Sequence, residues 1–339
     1  MPGAILNTTS SFTITVYHKA SQISNDVWDA LKTHEVEANC LLPTMTKTLH
    51  QERNHTAVTR SPGQIWIVCR SGKDVDLLLS CTNNALGTYP IFIVDLRRLP
   101  IGHLQPRIQD MAEKLLNASH PERVYSVFAP DDIAAAFAKA WSRLTQINIL
   151  PKPYYAAKLS YCTKDTFNRS LTQNPAWELR PACDEDLPRV AELCRQFAAD
   201  SEPFILDEEG AYREAQYLIQ SNQVWVHTVS TTHYTDIACI VAFTRNSENN
   251  ATISKVFTNP EWRGYKCAQR LVARVCRELL FCQGKKSVAL FVAHDNGAAS
   301  KVYHNVGFGG LYPSNDGPSS APGWTEFGFD RRKVQLGHW

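Results

Sequence analysis

Residues 256–268 read Val256-Phe257-Thr258-Asn259-Pro260-Glu261-Trp262-Arg263-Gly264-Tyr265-Lys266-Cys267-Ala268. A β-branched run gives way to a stretch holding Pro and Gly, and an amphipathic pattern opens behind it. The spacing predicts a strand, a tight loop and a helix. The first amides of a helix have no partner within it and carry the positive end of its dipole. Such a junction is a ready anion site, able to hold a diphosphate with few side-chain contacts, and Arg263 would add a charge-assisted hydrogen bond. A second group follows: Asp295-Asn296, Ala299, Tyr303 and Gly307-Phe308. Asn296 suits the start of a short helix, and Tyr303, seven residues on, falls on the same face two turns later. Taken singly, Asn296 also serves as a plain N-cap, Tyr303 as a core aromatic and Gly307 as a helix stop.

The elements that must position these residues are clearest after residue 176. Helical spacing is expected over 184–199 and 208–220, strands over 223–229, 236–243 and 252–258, a helix over 266–282, a strand over 287–293, a helix over 296–306 and a strand over 324–329. Polar turns fall at 230–235 and 246–250, and a loop rich in Pro, Gly and Ser at 313–323. The first three strands suit an antiparallel meander, and the strand–helix–strand that follows suits a parallel crossover. The first half repeats this order more quietly, with helices at 25–34, 105–118 and 131–144 and strands at 65–70, 75–81, 90–95, 124–128 and 155–162. Aligning Ala129 with Ala293, an offset of 164 residues, sets SVFAPDDIAAA against LFVAHDNGAAS and Leu99-Pro100-Ile101-Gly102 against Arg263-Gly264-Tyr265-Lys266. The expectation is an α/β (α+β) chain with a mixed antiparallel and parallel sheet flanked by helices, in tandem: domain 1–162, linker 163–176, domain 177–339.

Composition bounds the function. At 339 residues and 44% hydrophobic content, two domains can each bury a core. A net charge of +2 with interspersed signs argues against a nucleic-acid surface. No apolar run is long enough to span a membrane, and the first residues lack the basic and apolar regions of a secretory signal, so an intracellular, cytoplasmic protein is expected. The ten Cys form no CxxC pair and no metal-ligand spacing; they read as buried, reduced thiols, and no metal is expected. Asn-x-Ser/Thr triplets at Asn54 and Asn250 then read as chance matches. There is no Gly-x-Ser-x-Gly elbow for a hydrolase and no Gly-x-Gly-x-x-Gly for a dinucleotide.

At Arg263-Gly264-Tyr265-Lys266-Cys267-Ala268 the chain resembles the GNAT superfamily, whose cofactor loop is commonly written Arg-Gly-x-Gly-x-Ala; Lys266 stands where the second Gly is usual. The second group resembles the family's Asn-x-x-Ala-x-x-x-Tyr-x-x-x-Gly-Phe element, and both spacings are kept: seven from Asn296 to Tyr303 and four from Tyr303 to Gly307. The resemblance extends over about residues 177–330, with a degenerate GNAT-like first half. It implies direct transfer of an acetyl (acyl) group from acetyl-CoA to a primary amine of a small molecule or a protein. Val256, Phe257, Thr258, residues Arg263 to Ala268, and Asn296 would bind the cosubstrate, and Tyr303 would protonate the departing thiolate. The alternative is an inactive acyl-CoA-binding or interaction module, which Lys266 permits. The strand Thr252-Ile253-Ser254-Lys255-Val256 lacks the Glu that many members use as a base. Glu202, Asp207, Glu208, Glu209, His227 and Glu326 are the candidates, with a water chain as another route. Trp225, Trp262 and Tyr265 could line an apolar acceptor site or simply pack in the core. In the first half, Pro100 removes an amide donor and Asp132 adds a negative charge, so that half is expected not to bind acyl-CoA but to shape or cover the acceptor groove.

Overall fold

The structure, a computed structural model, describes residues 11–54, 63–83, 87–171, 178–230, 234–312 and 320–338. Residues 172–176 of the expected linker, 231–233 of one turn and 313–319 of the last loop lie outside these. The chain forms two compact units: Met1–His34, Lys47–Pro151 and Phe327–Gly337 make the first, and Glu35–Thr46, Lys152–Glu326 and His338–Trp339 the second. The division by contacts falls between Pro151 and Lys152, ahead of the strand that the sequence assigns to the first domain. That strand is held by pairing partners more than a hundred residues away, which no local pattern can reveal.

The first unit holds β1 (Thr13–Tyr17), α1 (Asn25–Thr33), most of α2 (Leu42–Arg53), β2 (Ile65–Ser71), β3 (Asp74–Cys81), β4 (Ile91–Asp95), α3 (Ile101–Ala118), β5 (Ser126–Pro130) and α4 (Asp131–Thr145). Strands β1 to β4 are an antiparallel meander, and α3 carries the chain over to β5, which runs parallel to β4. Apolar residues of β2 to β5 alternate onto a core shared with Ile108, Met111, Phe137 and Trp141 of the two helices. Helix α3 starts four residues earlier than its periodicity suggests, because Pro106 interrupts the pattern without ending the helix.

In the second unit come β6 (Tyr155–Thr163), β7 (Glu178–Pro181), α5 (Leu187–Ala199), α6 (Glu208–Gln220), β8 (Val224–Ser230), β9 (Thr235–Asn246), β10 (Asn250–Thr258), α7 (Cys267–Arg277), β11 (Ser287–Ala293), α8 (Gly297–Val306) and β12 (Gly323–Gly328). Strands β7 to β10 are antiparallel, β11 runs parallel to β10, and β6 pairs antiparallel with both β11 and the first four residues of β12. Strand alternation sends Cys239, Val241, Phe243, Ile253 and Leu290 to the face covered by α7 and α8. Val224, Val226, Ile240 and Ala242 face α5 and α6. The two units share one element order, and the offset of 164 read from the sequence sets β5 on β11 and α4 on α8. Among the described residues no helix is long and apolar enough to cross a membrane. All ten Cys are free thiols, eight of them buried.

Candidate functional site

Strands β10 and β11 pair only from Asn250↔Ser287 to Ile253↔Leu290. Beyond that level β10 runs on to Thr258 beside β9, and β11 runs on to Ala293 beside β6. The two strands therefore part, leaving a gap in the middle of the sheet. The Asn259 amide bonds Ala238 O at 3.0 Å, so its strand neighbour Phe257 also points its amide at β9. By alternation the amides of Val256 and Thr258 face the gap. Register shifts between Thr252 and Lys255 bend β10 where the parting begins.

The loop that follows is tied to Asp236 at the start of β9. Its carboxylate accepts Nε and Nη2 of Arg189 at 2.8 and 3.1 Å, Nδ2 of Asn259 at 3.0 Å and Nε1 of Trp262 at 3.0 Å. Burial alone would raise the Asp236 carboxyl, but Arg189 and Trp262 outweigh it and hold it low. The chain then passes Arg263, exposed and lying over the Phe257 ring at 5.7 Å, to Gly264 at φ +85°. A Cβ at Gly264 would meet nothing within 4 Å, so the glycine is required by its backbone angle and the space before it is open.

Lys266 caps α7 in a left-handed conformation, φ +59°. That conformation accounts for glycine being usual at this position, and a lysine there costs about 1–2 kcal/mol. The first intrahelical bond is Arg270 N to Lys266 O at 3.1 Å. The amides of Cys267, Ala268 and Gln269 thus lack acceptors within the helix. No side chain caps them at Lys266. The Cys267 thiol is buried, and burial pushes its pKa up; this position presents its backbone and not its sulfur. Tyr265 is 64% exposed and packs edge-on against Trp262 at 6.1 Å.

Helix α8 lies against α7. The Asn296 Oδ1 accepts the Ala299 amide at 2.9 Å, so the cap role is filled and the amide group of this exposed side chain stays available. Tyr303 sits in the core between Phe308 (5.8 Å between rings), Cys239 and Cys276, and burial raises its phenol. Gly307, at φ +118°, ends α8 so tightly that a Cβ would stand 2.2 Å from Thr166 O.

The candidate bases separate clearly. Asp207 is the N-cap of α6, accepting the Gly210 amide at 2.7 Å. Glu209 pairs with Arg213 on an open helix face, and Glu202 and Glu208 are exposed. His227 is 1% exposed under α7, and its pKa is lowered to about 4 by burial and by Arg270. Glu326 is fully buried on β12; pairing puts it opposite Tyr155, two residues past the level where Ala157 meets the end of β11. Strand β10 has no carboxylate, but Lys255 draws one in: its ammonium holds both oxygens of Glu214 of α6 at 2.8 and 2.9 Å, over the Phe197 ring at 4.8 Å. Of the aromatic residues read as a possible acceptor lining, Trp262 and Tyr265 pack together with Trp262 bound to Asp236, while Trp225 is buried beneath Arg274. Phe204 and Tyr154, 5.7 Å apart, and Phe197 and Phe257, 6.4 Å apart, are instead the half-buried aromatic pairs around the loop before α6. Only side-chain geometry reveals them.

The first unit has the same parting, since β4 and β5 pair only at Ile91↔Val127 and Phe92↔Phe128. Its loop is filled from within. Both oxygens of Asp95 take the amides of Arg97, Arg98 and Leu99 at 3.0, 2.7 and 3.0 Å. Among the described residues of the chain no cluster could hold a metal ion.

A search by sequence against curated proteins found no match. Among solved structures, a fruit-fly (Drosophila) protein is similar over 94% of this chain and 98% of its own, at 12% identity and a TM-score of 0.61. A GCN5-related N-acetyltransferase from Sphaerobacter thermophilus is similar over 96% and 98%, at 13% identity and a TM-score of 0.51. At these identities the likeness is one of fold. Residues 191–308 match the Acetyltransferase (GNAT) family, and that stretch contains the parted strands, the loop tied to Asp236, the open end of α7 and Tyr303. From Ala191 to Phe308, about a third of the chain, the sequence is similar to the Acetyltransferase (GNAT) family.

Proposed function

We propose that the second unit transfers an acyl group from an acyl-coenzyme A, acetyl-CoA in the simplest case, to a primary amine. The observation that carries this is the parting of β10 from β11 directly in front of an uncapped α7. The group implied by the family fits these residues: the amides of Cys267, Ala268 and Gln269 suit a diphosphate, with Arg263 beside them, and the amides of Val256 and Thr258 suit an amide-bearing arm and a thioester carbonyl. Asn296 would donate its Nδ2 to the same arm. The thioester itself supplies the activated acyl group.

The residues of this chain contribute mainly position. Asp236 holds the loop, and the splayed amides orient and polarise the carbonyl. Tyr303, kept protonated by burial, is the acid that returns a proton to the leaving sulfur. Glu326, buried on β12 two residues past the level where β11 ends, is the carboxylate we assign to taking the proton of the amine. The acceptor would be a small molecule or protein amino group with an apolar body, matched to Phe197, Phe204 and Phe257. The first unit, its loop amides occupied by Asp95, would not bind acyl-CoA.

The test is single-turnover acyl transfer from acetyl-CoA to a panel of aryl- and alkylamines with the native chain and Tyr303→Phe. About a hundredfold slower transfer at unchanged coenzyme A affinity is expected. Equal rates would remove Tyr303 from the chemistry, and no transfer to any amine by a chain that binds acetyl-CoA would make the domain a binding module.

A further inference from the structure

The outer face of α7 carries Lys266, Arg270, Arg274 and Arg277 at intervals of four, four and three residues. Such spacing stacks side chains in one stripe, with neighbours about 5–6 Å apart. Beside the stripe is a cavity of about 200 Å³, closed on its far side by Phe167, Leu171 and Leu179. None of the described residues lining it is acidic. For a chain whose basic and acidic residues nearly balance, 35 against 33, this is a local concentration of charge.

The arginines are also held in place. Arg274 lies over the Trp225 ring at 4.9 Å and reaches Glu278 at 3.2 Å; Arg277 lies over the Phe167 ring at 5.4 Å. Stacking fixes the guanidinium plane and leaves its in-plane donors for an oxyanion. Among the described residues the Nε of Arg277 is buried without an acceptor, an unfavourable state unless something fills it. The stripe spans twelve residues, roughly 16 Å from first to last, too long for one phosphate and suited to a chain of them.

We propose that this cavity along α7 binds a small polyphosphate, an inorganic or nucleoside-linked chain of phosphates, at a site separate from the amides of the α7 N-terminus. Arg274 and Arg277 stand about one and a half to three turns away from those amides, so the two sites can be filled together. The site requires no acyl transfer, and its failure would leave the proposed reaction untouched.

Calorimetric titration of the full chain with inorganic tripolyphosphate at fixed ionic strength tests this, with and without saturating coenzyme A. Saturable one-to-one binding is expected, weakened at least tenfold by Arg277→Gln and by Arg274→Gln, unchanged by Arg263→Ala, and retained with coenzyme A present. Arg277→Lys should recover part of the loss, because the charge remains and the fork does not. Melting curves identify any variant that fails to fold, in which case Arg270→Gln replaces it. Binding equal in native and groove variants, or displaced by coenzyme A, would overturn the proposal.

Discussion

Replacing Asp236 by Ala isolates the step from packing to function. Its carboxylate meets five donor groups from four residues: the Arg189 guanidinium twice, Asn259 Nδ2, Trp262 Nε1 and the amide of its neighbour Ile237. Arg189 is about one-third exposed and can return to water, so its loss counts for little. Asn259 is buried, and Trp262 is half-buried. A buried donor left without an acceptor costs about 1–3 kcal/mol, which sets the total near 2–4 kcal/mol. Part of that loss should appear as loosening of the loop from Asn259 to Lys266 rather than as global unfolding. Each 1.4 kcal/mol spent on ordering the loop when ligand binds is about tenfold in affinity. Asp236→Ala should therefore weaken coenzyme A binding by at least about tenfold in calorimetry, while Asp236→Asn, which keeps one acceptor oxygen, should weaken it less. Urea melts run alongside separate the two losses. Lower global stability with unchanged coenzyme A affinity would refute the idea that Asp236 acts through the loop.

Other consequences are independent of it. His227, held neutral with a folded pKa of about 4 against 6.5 unfolded, makes the unfolded chain bind more protons between those values. Stability should fall as pH drops from 6.5 to 4, by up to about 3 kcal/mol from this group, and His227→Phe should flatten the slope of urea midpoints against pH. Glu35, buried, accepts the Asn249 and Asn250 amides and the Asn249 side chain at 2.8, 3.1 and 2.6 Å, as well as the Ser247 hydroxyl, so Glu35→Ala should cost about 3 kcal/mol in a denaturant melt. Lys255→Met strands Glu214 and should cost about 3–5 kcal/mol, whereas Lys255→Met with Glu214→Leu should be close to native; equal losses would mean that Glu214 is already well hydrated. Gly307→Ala should destabilise the chain by several kcal/mol in the same melts, through both its backbone angle and Thr166.

The sequence was most legible where one period dominated. Helix α6 and strand β11 fall on the residues their patterns predict, and α8 begins one residue after Asn296, as a cap requires. It was least legible where structure depends on distant partners. Strand β7 is four residues long and exists through β8; α2 carries Pro43 and weak amphipathicity; β1, whose Ile14 and Val16 alternate with Thr13 and Thr15 onto the core, is a pattern that the expected strands leave out. The cofactor-like loop could be found from Arg263, Gly264 and Ala268, but the left-handed backbone angle that makes Lys266 an unfavourable residue there is visible only in the structure. The residue that fixes the loop, Asp236, lies 27 positions before Arg263, at the start of β9. The carboxylate missing from β10 is visible in the sequence, but that Lys255 of β10 pairs with Glu214 of α6 is not.

Acyl transfer by the second unit requires the gap between β10 and β11 to receive an acyl-coenzyme A with its phosphates at the start of α7. Calorimetric titration with acetyl-CoA tests this most directly, in the native chain, Arg263→Ala and Asn296→Ala. Saturable binding of one molecule per chain, weakened in both variants whose melting curves stay native, is the expected result. No binding at millimolar acetyl-CoA, or binding that neither variant alters, would contradict it.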